Sequence, residues 1–186
     1  MNINKFTQKS IEAIQELEKL AYEFGNQEMD QEHLVYALVN QSDGLIGKMI
    51  DKMEINLDHF KKRIVDFIEK KPKVQGGELR VSNDLNKVLV TAENEAKAMG
   101  DEYVSVEHLF LTLIKNPNRA MKEFFGEYSL AKYRFIIDTI GFGEFGNGMT
   151  WSELKNYQIM MKTALDEYNA THTSPLKDEN GQLVEF

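Results

Sequence analysis

Two short strings carry the side chains best equipped for chemistry: Glu32-His33-Leu34 and Glu107-His108-Leu109. A carboxylate beside an imidazole could bind a metal or move a proton. Neighbouring residues of a helix point about 100° apart, so the two groups of one string do not converge on one ion. No H-E-x-x-H string and no cysteine accompanies them, and a zinc site would lack its ligand set. Buried, hydrogen-bonded histidines are the expected outcome. His59 and His172 have no evident partners in the sequence. Thr7 and Ser82 carry hydroxyls, but neither a base nor an oxyanion donor is visible for them, and helix N-capping explains both. The nearest approach to a phosphate-binding loop, Asp43-Gly44-Leu45-Ile46-Gly47-Lys48-Met49, has the wrong spacing and no hydroxyl after its lysine. Metal catalysis, nucleophilic catalysis and P-loop ATP hydrolysis are not expected, nor is a cofactor.

The elements that position these strings repeat. A shift of 75 residues lays Asp30–Leu38 on Ser105–Leu113, Thr7 on Ser82, Gly25 on Gly100 and Phe60 on Phe135. From Phe6 to Asn40 there are 7 identities in 35 ungapped positions. Chance would give about two, so the chain contains a tandem duplication. Each copy reads as four helices. In the first, Thr7 caps a helix whose face is Ile11, Ile14, Leu17, Ala21 and Phe24, and Gly25 ends it. Asp30 caps the next, carrying Leu34 and Leu38. Ile46, Met49, Ile50 and Met53 mark a third, and Leu57, Phe60, Ile64, Phe67 and Ile68 a fourth. In the second copy Ser82 caps Leu85, Val88, Leu89, Ala92, Ala96 and Met99, with Gly100 at the end. Ser105 caps the next helix, Asn116-Pro117 opens the third, and Leu130, Phe135, Ile136 and Ile140 mark the fourth. No segment shows a convincing strand period. Lys71–Gly77 reads as a linker, and Lys61-Lys62-Arg63 and Lys70-Lys71 as solvated helix edges. Of the nine methionines, Met49, Met53, Met99 and Met121 fall on core faces.

The chain has 186 residues, 42% of them hydrophobic and 28% charged, with a formal net charge of -8. That is ordinary for a globular protein and enough for a real core. The acidic balance weighs against nucleic acid as a partner. No apolar run approaches the ~18 residues of a membrane span, and the opening residues lack a signal-peptide core. A cytoplasmic location and no membrane partner are expected.

A G-x(4)-[DS]-x-E-H-L-x(3)-L pattern stands in both copies, preceded in the first by Phe6-Thr7. It resembles the Clp N-terminal repeat domain, which heads the Hsp100 unfoldases. Met1–Thr7, Leu79–Ser82 and Gly100–Leu109 bring it nearest to the ClpB branch. The resemblance covers roughly residues 1–140. It implies an all-α fold, a pseudo-twofold bundle of two four-helix repeats (about 1–70 and 80–140) that recruits polypeptides for an AAA+ ring. For ClpB-like members it implies substrate binding at Thr7, Asp101 and Glu107, beside an apolar groove. For ClpC-like members it implies phosphoarginine reading by Glu32 and Glu107.

Residues 141–186 depart from that pattern. A glycine-rich hinge, Gly141–Gly148, is followed by Thr150-Trp151-Ser152-Glu153, which reads as a capping box. Leu154, Tyr157, Met161, Ala164, Leu165 and Tyr168 then follow at helical spacing, and the end from Thr171 reads as polar coil. Met160 and Met161 have no assigned role.

The expected function is a binding module. Unfolded or aggregated polypeptide would lie in a groove flanked by Phe6, Thr7, Val81, Leu85, Asp101, Glu107 and Leu109. An adaptor protein or an AAA+ chaperone ring are further expected partners. Glu32 and Glu107 gain about 0.3–1 kcal/mol from the helix dipole alone, and would also face cationic groups on a bound segment. The competing readings are a phosphoarginine reader or adaptor dock, and a hydrolase built on the Glu-His strings.

Overall fold

The computed structural model describes residues 1–128, 130, 151–178 and 180–184, with side chains of 151–158 left aside. One compact unit comprises Met1–Leu130 and another Ala131–Phe186. In the first, a 3-10 turn at Ile3–Lys5 leads into α1 (Gln8–Glu23), α2 (Gln31–Val39), α3 (Leu45–Lys52) and α4 (Leu57–Glu69). The second copy supplies α5 (Asn83–Ala98), α6 (Val106–Lys115) and α7 (Arg119–Glu127). Its expected fourth helix falls, beyond Leu130, outside the described residues. The fold is predominantly helical, as the periodicity predicts.

The duplication is visible atom by atom. Thr7 and Ser82 cap α1 and α5, accepting from the N–H of Ser10 at 3.3 Å and of Leu85 at 2.9 Å. Both helices end in the same Schellman motif, with Gly25 at φ +71 and Gly100 at φ +77, where a side chain would be strained. There Asn26 N–H donates to Ala21 O and Asp101 N–H to Ala96 O, each at 2.8 Å.

Two very short strands, β1 (Glu28–Met29) and β2 (Arg80–Val81), pair in parallel. The sequence shows no trace of them, because two residues cannot display a period. Their register sets Met29 against Val81, and an isolated parallel bridge sets Phe6 against Val104. Under the 75-residue shift Phe6 corresponds to Val81 and Met29 to Val104. Each copy's lead-in to its first helix therefore pairs with the other copy's lead-in to its second. Thr7 N–H donates to Val104 O at 3.0 Å, and Ser82 N–H to Met29 O at 2.9 Å.

The core between the copies is aromatic and aliphatic. Phe60, Phe110 and Phe124 are fully buried, with Phe60 and Phe124 ring centroids 4.7 Å apart. Arg63 of α4 forms two hydrogen bonds to Glu127 of α7, at 3.0 and 2.6 Å. This two-pronged geometry ties the repeats together at their rim, so Arg63 is more than a solvated helix edge. His59 also has a partner, the Tyr128 hydroxyl at 2.7 Å. Helix α7 starts at Arg119 with Asn118 as its cap, accepting from Met121 N–H at 2.8 Å. Pro117 thus precedes the cap instead of occupying the first turn, because Asn116 is held at the end of α6, its N–H donating to Thr112 O at 2.9 Å, and the Asn118 side-chain oxygen takes over as cap.

In the second unit α8 spans Trp151–Thr171. The expected capping box at its start lies outside the described side chains. Met161, Ala164 and Leu165 are buried along one stripe. His172 stacks on Tyr168 with ring centroids 3.8 Å apart. The end is a tight hairpin, not coil: Lys177 bridges Leu183 in antiparallel fashion. Asp178 Oδ1 accepts from the N–H groups of Asn180 and Gln182, both at 2.9 Å, and Gly181 takes φ +77. Asp178 and Gly181 supply the turn chemistry that the polar composition hid.

Candidate functional site

The Schellman motifs fix Asn26 and Asp101 close to the starts of α2 and α6. Each then accepts from the histidine seven residues later: His33 Nε2 lies 2.9 Å from Asn26 Oδ1, and His108 Nε2 lies 2.9 Å from Asp101 Oδ2. On the other side of each ring, Nδ1 accepts the N–H of the capping residue, Asp30 at 3.0 Å and Ser105 at 2.9 Å. A histidine thus takes the part of the glutamate in a capping box. Both ring nitrogens are committed, so neither histidine is a free base or ligand. Among the described residues no group of His, Asp and Glu is arranged to hold a metal ion.

Beyond this shared frame the two helix ends differ. The α2 end is sealed. Lys71, from the inter-repeat linker, places Nζ 3.0 Å from Asp30 and 3.3 Å from Glu32. Ser82 Oγ donates to Asp30 at 2.7 Å, and Asn118 Nδ2 donates to Asp30 and Glu32 at 3.3 Å each. Gln31 donates to the carbonyls of Asp84 and Asn116, and accepts from Asn118 N–H at 2.7 Å. Glu32 is only 1% exposed.

Electrostatics follow the burial. Desolvation, aided by the Asp30 charge, raises the Glu32 carboxyl above its ordinary range against the pull of Lys71. Burial would raise Asp30 too, but hydrogen bonds from Ser82, Lys71 and Gln31 hold it below the ordinary value. Burial opposes the charge on Lys71, yet Glu32 and Asp30 together raise it. Burial and then the Lys71 charge push His33 down to about 4. Lys71 is therefore no solvated edge: its side chain is only 18% exposed and pairs with both buried carboxylates.

The α6 end is open. Glu107 is half-buried and has no ion pair among the described residues, and Ser105 is half-buried as well. Asp101 keeps 27% of its side chain exposed beside His108. Thr7, also half-buried, is bonded to the strand just before this end, through Val104. Thr7, Asp101 and Glu107 are thus gathered around one helix start. Ile3 and Tyr103, at 41% and 49% exposure, flank the Phe6–Val104 bridge and add apolar surface.

The remaining expected groove residues lie elsewhere. Phe6, Leu85 and Leu109 are buried core side chains that present almost no surface. The same apolar character that suggested a groove wall places them inside. Val81 is 45% exposed, but on the other crosswise pairing, beside Met29. Glu32 belongs to the sealed end. The sequence reading missed Lys71, Asn118, Ile3 and Tyr103. Only the exposed pair could have been suspected, from apolar side chains beside predicted caps. Two surface recesses, of about 490 Å³ near Gly47 and Leu57 and about 290 Å³ near Lys9 and Tyr36, contain none of the expected residues.

The fold and its ends define a duplicated, predominantly helical domain with one sealed and one partly exposed acidic helix start. The Clp repeat N-terminal domain model matches residues 5–128, so the chain belongs to the Clp N-terminal repeat family. Among curated relatives, the chaperone protein ClpB of Nitratidesulfovibrio vulgaris is 39% identical over 142 residues, 73% of this chain and 16% of that protein. ClpB of Clostridium perfringens is 34% identical over the same shares. The chain spans about one-sixth of the length of these relatives. Among solved structures, the Hsp104 N-terminal domain of Candida albicans superposes with TM-score 0.67 at 19% identity, covering 82% of this chain and 98% of that one. The ClpV1 N-terminal domain of E. coli superposes at 0.61 and 18% identity, covering 72% and 82%. These likenesses carry the fold. Among the described residues, no helix is long and apolar enough to cross a membrane.

Proposed function

We propose that this chain is the substrate-recruiting module of a cytoplasmic, ClpB-like disaggregase, binding segments of unfolded or aggregated polypeptide without catalysis of its own. The observation that carries this reading is the open α6 end, where Thr7, Asp101 and Glu107 stand partly exposed beside Ile3 and Tyr103. Acidic groups with adjacent apolar surface suit a chain segment of mixed apolar and basic character. The contact area is small, so affinity is weak, and avidity would come from several modules on one ring. Two further facts support the reading: the ClpB relatives, and a ClpV N-domain of the same fold solved in complex with a VipB peptide. The phosphoarginine reading draws on Glu32 as well as Glu107, and the burial of Glu32 beneath Lys71 weighs against it.

Fluorescence anisotropy of a labelled, permanently unfolded polypeptide tests the proposal. Saturable binding at physiological salt, weakened by the double substitution Asp101→Asn, Glu107→Gln, is expected. A flat titration in both low and physiological salt would overturn it.

A further inference from the structure

The two helix ends are built on one frame, and one already holds a cation. The 75-residue shift carries Asn26 to Asp101, Asp30 to Ser105, Glu32 to Glu107 and His33 to His108, while Ser82 and Thr7 exchange places through the crosswise strands, so one of the carboxylates at each end is shared and the second differs in position. On this frame the repeat-1 end seats the Lys71 ammonium at 3.0 and 3.3 Å from two carboxylates. Lys71 is not a mobile surface lysine that happened to fall there. The next residue's carbonyl, Pro72 O, accepts from Asn26 Nδ2 at 3.2 Å, and Val74 N–H donates to Gly25 O at 3.0 Å. The linker is thus pinned across the Schellman motif with its ammonium in place. The repeat-2 end has acidic groups too, Glu107 and Asp101, but Glu107 has no ion pair among the described residues, and position 146, which matches Lys71 under the shift, is a glycine.

We propose that Lys71 is a tethered occupant that closes the repeat-1 end to partners, and that the repeat-2 end takes a basic side chain of the bound segment at Glu107, the counterpart of Glu32. This rests on the recruiting role proposed above, and it adds two things: binding at one end only, because a lysine of the chain itself fills the other, and a named seat, Glu107, for the basic side chain. A chain with net charge -8 would further favour such segments by long-range attraction.

The test is an NMR titration of the isotope-labelled full chain with a short unstructured apolar peptide carrying two arginines, and with the same peptide carrying citrulline instead. Shifts at Thr7, Asp101 and Glu107, with none at Gln31–His33, are expected. The citrulline peptide should bind about tenfold more weakly, the loss of one charge-assisted hydrogen bond. Lys71→Met should add shifts at Gln31–His33 and a second equivalent of peptide, whereas Lys71→Arg should keep that end closed. Equal shifts at both ends of the wild type, equal affinity for the two peptides, or a folded Lys71→Met protein that gains no second site would each overturn the inference. The wild-type comparison stands even if Lys71→Met does not fold. If the unfolded polypeptide of the preceding section shifts neither end, the recruiting role itself fails, and this inference with it.

Discussion

The two repeats start from one sequence pattern and finish as opposites. Around α2 a lysine, a serine and an asparagine from outside the helix converge on Asp30 and Glu32, and both carboxylates are buried and partnered. Around α6 the matching histidine is buried as well, but Glu107 stays half-exposed and has no ion pair among the described residues. Duplication supplies two copies of a frame; sealing one with the linker frees the other from a structural duty. A helix start that holds the halves together cannot easily yield to a ligand, whereas one that does not can be shaped by what it binds.

Four experiments would break or sharpen this contrast. The largest effect is expected from Lys71→Ala, which strands two buried carboxylates. Chemical denaturation should show a loss of about 3–5 kcal/mol. A loss under about 1 kcal/mol would mean that water reaches the pair and the end is not sealed.

Next comes pH. The folded His33 titrates at about 4, below its ordinary value. The unfolded chain then binds more protons between about pH 6.5 and 4, so the His33 contribution is present above that window and lost as pH falls through it. It amounts to about 3 kcal/mol, at 1.36 kcal/mol per pKa unit. Glu32, raised by burial, acts in the opposite sense. The clean readout is therefore the difference in stability between wild type and His33→Gln across this range. A difference independent of pH would show that His33 protonates freely in the folded protein.

The capping hydroxyls should differ as well. Ser82→Ala removes a cap and the donor to Asp30, and should cost about 2 kcal/mol. Thr7→Ala removes a cap alone, Thr7 Oγ1 otherwise donating to Ser10, and should cost about 1 kcal/mol. Equal losses in thermal unfolding would argue that Ser82 does not seal the α2 end. The smallest effect on stability is expected from Glu107→Gln, within about 0.5 kcal/mol, as for surface positions in general. The same protein should still lose affinity for unfolded polypeptide.

Much of this architecture is legible in the sequence, for local reasons. Caps, glycine stops and the 3.6-residue period act within a turn or two, so the described helices of both copies can be read directly, and their starts too except that of α7, which falls past Pro117. The buried, hydrogen-bonded state of His33 and His108 is also legible, because each follows a predicted cap by three residues on an apolar helix. The difference between Glu32 and Glu107 is not. It depends on Lys71, which lies in a linker with no period and 39 residues beyond Glu32, and on Asn118, further still. Phe6, Leu85 and Leu109 illustrate a second limit. An apolar residue beside a predicted site suits a groove wall and a core equally, and only packing decides between them.

The crosswise strands have a consequence for synthesis. Met29 waits for Val81, and Phe6 waits for Val104, before either pairing can close. At roughly 5–20 residues per second, a ribosome spends several seconds between making the two members of each pair. The helices of the first repeat can coil in that interval, but its lead-in segment has nothing to bind until the second copy leaves the exit tunnel. The domain therefore completes itself late and all at once, and a translation product that stops within α5 would carry an unfinished first repeat.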